Sequence, residues 1–167
     1  GTLAMVPPKM EQMFGITLPE DWLSECYERT FTAFRNDLTP FAHLGPVLDL
    51  LEENNIPIAI GSNGPHAKMD VSLAKVGLKE RFEGRVCSAH DVENPKPHPD
   101  VFLLAAQKIG VDIKECIVVD DSQNGVRAGV ASGATTIGLV DITPANYLLD
   151  AGAHHIATDH RDLYRLL

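Results

Sequence analysis

The sequence contains few cysteines and no long apolar run. Only 3 of its 167 residues are cysteines, and Cys26, Cys87 and Cys116 form no CxxC pair. So sparse and odd a count argues against a disulfide framework and against a zinc site built on cysteine, and it is typical of a reducing compartment. The N-terminus shows no basic region followed by an apolar stretch, so we expect no signal peptide and a cytoplasmic location.

Positive charge is also scarce. The chain has 14 Lys and Arg residues against 23 Asp and Glu residues, which gives a formal net charge of −9. An acidic surface repels phosphate backbones and anionic lipids, so we expect neither a nucleic-acid partner nor a membrane partner. No apolar run approaches the roughly 18–20 residues that span a bilayer. With 44% apolar residues over about one domain's length, the composition predicts a single buried core.

Short apolar runs alternate with amphipathic stretches from residue 45 onward. The predicted strands are residues 56–60, 85–88, 116–119 and 135–140. The predicted helices are residues 46–53, 66–76, 100–109 and 126–131, and a helix, a weak strand and a final helix follow residue 147. Because the strands are apolar throughout, we expect an α/β fold with a Rossmann-like parallel sheet covered by helices on both faces.

The first forty residues are organised differently. Residues 1–11 show no period, and Pro7-Pro8 is incompatible with the interior of a helix or a central strand, so we expect an irregular N-terminal segment or a cloning remnant. From Pro19 to about Arg35 the pattern becomes helical, with apolar residues at three- and four-residue steps, and a break follows at Thr39-Pro40. We therefore divide the chain into an irregular segment 1–11, a helical segment 12–40 and an α/β core 41–167.

Two adjacent carboxylates, Asp120 and Asp121, come directly after the apolar run CIVV. Ligands of open α/β sheets bind at the carboxyl ends of the strands, which is where this pair lies. Two neighbouring carboxylates repel each other unless a cation offsets their charge. Mg²⁺ commonly binds one or two carboxylates together with water and a substrate phosphate. The alternative is a solvated loop that caps the following helix.

Two further polar clusters follow predicted strands. Ser62, Asn63 and Gly64 form a turn whose hydroxyl and backbone amides suit an anion such as phosphate, and the alternative is an ordinary turn with a helix N-cap. Lys96 lies between two prolines that stiffen its segment, so it offers a point charge for a phosphoryl group; the alternative is a loop lysine facing solvent. The remaining candidates, His90, His98, His154 and His155, lack metal-ligand spacing.

The order and spacing of these clusters resemble the haloacid-dehalogenase-like superfamily, in its phosphatase and sugar-phosphate mutase branch. The segment IPIAIGSNG is similar to the second motif of that family, KPHPDVF to the third, and CIVVDDSQNGVRAGVASGA to the fourth. The resemblance covers roughly residues 45–140, and SNGPHAKM is especially similar to bacterial sugar-phosphate phosphatases, including those acting on 6-phosphogluconate. It implies that Ser62 and Lys96 bind phosphate and that Asp120 and Asp121 bind Mg²⁺.

One element of the family is absent from this sequence. These enzymes open with an apolar strand ending in Asp-x-Asp-Gly-Thr, whose first aspartate is the nucleophile and whose second is the general acid/base. No Asp-x-Asp occurs among the 167 residues, and Gly1-Thr2-Leu3 resembles either the tail of the motif or a tag remnant. A helical cap follows the motif in the family, so residues 12–40 resemble a partial cap. The dehalogenases carry Ser-Ser-Asn where this chain has Asp-Asp-Ser, which argues against halide chemistry.

The resemblance implies Mg²⁺-dependent hydrolysis of a small phosphorylated metabolite, of the sugar-phosphate class, through an aspartyl-phosphate intermediate. Because the nucleophile is missing, we expect this chain to be inactive alone. The alternative is a non-catalytic remnant of the fold that binds phosphate compounds or another protein. Receiver domains also combine an acidic pair, a hydroxyl and a lysine, but their acidic pair comes first, and here Asp120 and Asp121 come last.

The missing strand would lie at the centre of the sheet in the family, between the strand ending at Ser62 and the strand ending at Asp120. We therefore expect its place to be filled by residues 1–10, by an element of a second chain, or by closure of the sheet in a new strand order. Because Pro7 and Pro8 make a poor central strand, the expectation favours a homo-oligomer with strand or segment exchange, or a rearranged sheet.

Overall fold

The computed structural model describes residues 3–166. Gly1, Thr2 and Leu167 lie outside the described residues, so the interpretation of Gly1-Thr2 as a motif tail lies outside them as well. Eight α-helices are present in the described part: α1 (Val6–Phe14), α2 (Trp22–Asp37), α3 (Leu44–Glu53), α4 (His66–Lys75), α5 (Asp100–Ile109), α6 (Gln123–Ser132), α7 (Ala145–Asp150) and α8 (His160–Leu166). The strands are β1 (Ile60–Ser62), β2 (Val86–Ser88), β3 (Ile117–Asp120), β4 (Thr135–Leu139) and β5 (His155–Ala157).

The strands form two parallel sheets. One sheet has the order β1-β2, with Ile60 opposite Val86, and the other has the order β3-β4-β5, with Ile117 opposite Thr135. Helices separate successive strands, as parallel pairing requires. The expected α/β fold with parallel strands is confirmed. Strand β1 is one edge of the smaller sheet, and β3 is one edge of the larger sheet.

Helices cover both faces of the larger sheet. On one face, Gly129 of α6 lies so close to β4 that a methyl group there would come within 2.7 Å of Thr136 Oγ1. On the other face, Ile137 and Leu139 of β4 pack with residues of α3 and α8. Because successive side chains of a strand point to opposite faces, Thr136 and Ile137 place these helices on opposite sides of the sheet. The core therefore lies in two layers around the strands.

The sequence predicts an irregular N-terminal segment, but most of its described residues are helical. A short 3₁₀ turn at Leu3–Met5 leads into α1, and Pro7 and Pro8 lie in the first turn of that helix. The prolines are tolerated there because the N–H groups of a first helical turn have no intrahelical acceptor. Helix α2 then packs on α4. None of the described helices is both long enough and apolar enough to cross a membrane.

The place between β1 and β3 is not filled by residues 3–10, which are helical, and the sheet does not close in a new order. Two of the three expected arrangements are therefore wrong for the described residues. Strand β1 is also shorter than the strand predicted at residues 56–60. Its pairing begins only at Ile60, where β2 begins opposite it, and Pro57 lacks the N–H that a longer ladder would need.

Candidate active site

The carboxyl ends of β1 and β3 meet around Lys96. The side chain of Asn63, just after β1, holds the backbone of Lys96 from both sides: Oδ1 accepts from the Lys96 N–H at 3.0 Å, and Nδ2 donates to the Lys96 carbonyl at 3.3 Å. The Lys96 ammonium group donates to Asp120 Oδ2 at 2.8 Å. One lysine therefore joins the ends of two strands that belong to different sheets.

The Lys96–Asp120 pair is removed from water. The side chains are 9% and 11% exposed, respectively, and Lys96 Nζ lies 4.4 Å from the centre of the Phe102 ring, a cation–π distance. Asp120 Oδ1 accepts two further hydrogen bonds, from the backbone N–H and the hydroxyl of Ser122, at 2.9 and 2.8 Å. Both carboxylate oxygens of Asp120 are thus occupied by protein donors.

Gly125 allows this carboxylate to lie against α6. A methyl group at Gly125 would overlap the Asp120 carboxylate, so a larger residue would displace it from Lys96. The Gly125 N–H donates to Ser122 Oγ at 3.0 Å, and Ser122 is thereby the N-cap of α6. The helix-capping interpretation of this loop is therefore correct for Ser122, while Asp120 takes part in the buried ion pair.

Asp121 differs from its neighbour, since the residue is exposed and the described residues contain no ion pair to it. Partial removal from water, followed by the negative charges of Asp120 and Asp141, raises the pKa of Asp121 above its ordinary value. Extra negative charge is therefore costly at this end of the sheet, and a cation would be favoured there.

The Ser62–Gly64 loop is half-buried beside Lys96. Ser62 Oγ accepts from the Gly64 N–H at 3.0 Å, which leaves its hydroxyl proton available to a ligand. The Gly64 carbonyl accepts from Ser88 Oγ at 2.8 Å, so the end of β2 supports the loop. The structure thus brings Asn63, Lys96 and Asp120 into direct contact, with Ser62, Gly64 and Asp121 next to them in the chain.

Comparison with known proteins identifies the family of this chain. Residues 11–133 match the haloacid dehalogenase-like hydrolase family. The chain belongs to that family. It is 29% identical over 120 residues to 6-phosphogluconate phosphatase of Escherichia coli (strain K12), an alignment that covers 71% of this chain and 53% of the relative. The chain spans about half the length of this relative and of fructose-1-phosphate phosphatase of Escherichia coli (strain K12), and 39% of the phosphoglycolate phosphatase of the same strain.

Two solved structures of family members are similar over nearly all of the chain. A haloacid dehalogenase-like protein from Agrobacterium tumefaciens is 30% identical with a TM-score of 0.82, covering 99% of this chain and 76% of that one. A family hydrolase from Deinococcus radiodurans, crystallised with bound phosphate and sodium, is 30% identical with a TM-score of 0.77, covering 98% and 73%. The resemblance to sugar-phosphate phosphatases of this family is confirmed.

Sequence reasoning missed the residues that support the Ser62–Gly64 loop from the end of β2. His66 Nε2 lies 2.9 Å from both carboxylate oxygens of Asp91, and Asp91 accepts from the Ser88 N–H at 2.8 Å. Ser88 Oγ in turn accepts from the His90 N–H at 3.1 Å, which completes a capping box. The Ser-x-x-Asp spacing of Ser88 and Asp91 is a signal that could have predicted this turn.

Replacing Asp91 with Asn is expected to destabilise the protein by about 1 kcal/mol at pH 7, the difference between a charged and a neutral acceptor. The Ser88 N–H first, and His66 second, hold the pKa of Asp91 below its ordinary value. The carboxylate therefore contributes stability above the ordinary value of 3.8, and this contribution is lost as the pH falls through the folded-state value. Urea unfolding between pH 7 and pH 3 measures it.

The matched control is Asp70→Asn, which affects an exposed ion pair with Lys79 and should cost less than about 0.5 kcal/mol. The variant Asp91→Asn should approach the parent protein in stability at the acidic end. An equal loss at every pH would contradict the role of the ionised carboxylate.

One of the four histidines without metal-ligand spacing has a structural role away from the site. His154 Nδ1 accepts from the Thr136 N–H at 2.9 Å, which is a structural contact between β4 and the loop before β5. Within residues 3–166, no group of three or more His, Cys, Asp or Glu side chains is arranged to hold a metal ion.

Proposed function

We propose that this site binds the phosphate group of a small phosphorylated metabolite of the sugar-phosphate class, and that it belongs to an Mg²⁺-dependent phosphatase. The observation that carries the proposal is Lys96, a buried cation held by Asn63 and Asp120 beside the Ser62–Gly64 loop. A buried ion pair is costly to form, and a functional role explains its retention at the carboxyl ends of the strands. The relatives that act on 6-phosphogluconate and fructose-1-phosphate support the substrate class.

Each residue of the site has a separate proposed role in phosphate binding. Ser62 offers a hydroxyl proton to a phosphoryl oxygen, and Lys96 supplies positive charge beside the loop. Asn63 fixes the backbone of Lys96, so the ammonium group is placed before a ligand arrives. Phosphate bound in a relative from Deinococcus radiodurans supports this assignment.

Asp120 and Asp121 have the type of donor atom that Mg²⁺ prefers, but they provide too few available ligands for a tight site. Their carboxylate oxygens are the hard donors that Mg²⁺ prefers, and bound Mg²⁺ would supply positive charge to a transferring phosphoryl group. Asp120 already accepts one hydrogen bond from Lys96 and two from Ser122, whereas Asp121 forms no ion pair within the described residues. We therefore expect weak Mg²⁺ binding by this chain. An aspartyl-phosphate intermediate requires an aspartate of the Asp-x-Asp motif, which the sequence does not contain.

A second candidate function follows from that missing motif. A protein that keeps Ser62 and Lys96 without a nucleophile would bind phosphate compounds, or another protein, without hydrolysis. The Asp-x-Asp motif distinguishes the two candidates, because phosphate binding is common to both while hydrolysis needs the nucleophile that this motif supplies.

A calorimetric titration with inorganic phosphate tests phosphate binding, which both candidate functions require. The parent chain is expected to bind phosphate, and Ser62→Ala should weaken binding about tenfold, the value of one hydrogen bond to a charged group. The matched control is Ser72→Ala on α4, whose hydroxyl donates to the Met69 carbonyl within its own helix. Absence of binding at millimolar phosphate, or equal affinity of parent and Ser62→Ala, would contradict the assignment.

A further inference from the structure

A second lysine lies beside the Ser62–Gly64 loop. Lys68 is the third residue of α4, and it is half-buried. A methyl group at Gly64 would come within 3.3 Å of Lys68 Cδ and within 3.4 Å of Ser62 Oγ. The stem of Lys68 and the hydroxyl of Ser62 are therefore neighbours across Gly64, at the loop to which we assign phosphate binding.

The ammonium group of Lys68 lies between this loop and the helical segment that precedes the core. Its Nζ atom is 5.6 Å from the centre of the Phe34 ring on α2, a cation–π distance. Helix α2 packs on α4, so the contact with Phe34 joins the two helices. A metabolite whose phosphate lies at the loop would have its remaining atoms within reach of this flexible cation.

The two lysines beside the loop differ in how their charge is offset. The ammonium group of Lys96 donates to the Asp120 carboxylate at 2.8 Å. The described residues contain no ion pair to Lys68, although the chain has 23 acidic residues against 14 basic ones. Lys68 is therefore a half-buried cation whose charge is available to an anionic group of a ligand.

We propose that Lys68 determines specificity by binding a carboxylate of the substrate, which makes the substrate a phosphorylated sugar acid. This inference rests on the proposed phosphate site and adds a second point of recognition to it. The single positive charge of Lys68 matches a carboxylate, whereas a second phosphate group, with a charge near −2, would remain partly uncompensated in an acidic protein. A sugar phosphate without a second anionic group would make no use of this cation.

The alternative role of Lys68 is structural, as a tie between α2 and α4. The same helix carries a second lysine with such a role: Lys75 Nζ donates to the Asn36 carbonyl at the end of α2, at 3.3 Å. Lys75 lies two turns of α4 away from the loop and carries the same charge. It is therefore the matched control for the charge and for the contact with α2.

Calorimetric titration of the full chain with two ligands tests the role of Lys68. The ligands are 6-phosphogluconate and glucitol 6-phosphate, which share an open six-carbon chain and its phosphate and differ only in a carboxylate or a hydroxymethyl group at C1. The parent chain is expected to bind 6-phosphogluconate about tenfold more tightly, the value of one hydrogen bond between charged groups. Lys68→Met keeps an apolar stem at this position and should reduce this preference to less than about threefold.

Two further variants separate recognition from structure. Lys75→Met should retain the preference for 6-phosphogluconate, and Lys68→Arg should also retain it, because a guanidinium group binds carboxylates. Loss of the preference in either of these variants would overturn the inference. Equal weakening of both ligands in Lys68→Met would also overturn it, since Lys68 would then act on the phosphate group or on the fold.

The titrations of the parent chain distinguish this inference from the proposed function. Phosphate-dependent binding of both ligands with equal affinity would overturn the role of Lys68 and leave the phosphate site in place. A parent chain that binds neither ligand and no inorganic phosphate would overturn the phosphate site and, with it, the role of Lys68. Because binding is the readout, the result does not depend on hydrolysis by this chain.

Discussion

Assayed with 6-phosphogluconate and Mg²⁺, the 167-residue chain is expected to turn over roughly 10⁴–10⁶-fold more slowly than the phosphatase of Escherichia coli under the same conditions. The physical reason is the missing nucleophile. The residues that remain bind and orient a phosphoryl group, but no described carboxylate is free to attack it from the position of an Asp-x-Asp motif, which the sequence lacks. Positioning and electrostatics alone supply only part of the rate enhancement of an enzyme with a covalent mechanism.

Release of inorganic phosphate from the purified chain, followed over hours, is the measurement, and Asp121→Asn is the control variant. Residual activity that is unchanged in Asp121→Asn would come from a contaminating phosphatase. Robust Mg²⁺-dependent hydrolysis by the parent chain that is abolished in Asp121→Asn would contradict the prediction, because it would show a complete catalytic site.

Replacing Lys96 with Met is expected to destabilise the protein by about 3–5 kcal/mol. The substitution keeps most of the apolar stem against Phe102 but removes the cation, so the Asp120 carboxylate remains at 11% exposure without its ionic partner. For a chain of this length the loss corresponds to a fall in Tm of about 6–20 °C. Urea unfolding followed by circular dichroism gives the free energy directly.

Two further variants separate the charge from the packing. Lys96→Met combined with Asp120→Asn should recover a substantial part of the loss, since no buried charge is then left unpaired. Lys79→Met is the surface control, because its ion pair with Asp70 is exposed on both sides and should be worth less than about 1 kcal/mol. The prediction is wrong if Lys96→Met and Lys79→Met cost the same.

Local pattern was sufficient for much of the fold. Helix α5 was expected at residues 100–109 and is found at Asp100–Ile109, because its apolar period and Gly110, at a φ of 71°, specify both the face and the end of the helix. Strand β4 begins at Thr135 as expected, and its last four residues are buried, as in a strand covered on both faces. These are properties of neighbouring residues, so they can be read without knowing the rest of the chain.

The N-terminal helix shows where local pattern failed. The sequence predicts no helix around Pro7 and Pro8, yet both lie in the first turn of α1. Whether a proline breaks a helix depends on whether its position needs a backbone donor, and a first turn does not. The effect of the two prolines therefore depends on where the helix begins, and the prolines alone do not specify that position.

The sequence alone determined the α/β class, the family resemblance, and the membership of Ser62, Asn63, Lys96 and Asp120 in one candidate site. The tertiary structure decided which of them touch: Lys96 and Asp120 are 24 residues apart and pair only because β1 and β3 end at the same edge. It also decided that the two sheets stop at β1 and β3 with an apolar groove between them. Strand neighbours and ion pairs depend on contacts between residues distant in the chain, and local residue pattern does not specify which atoms form those contacts.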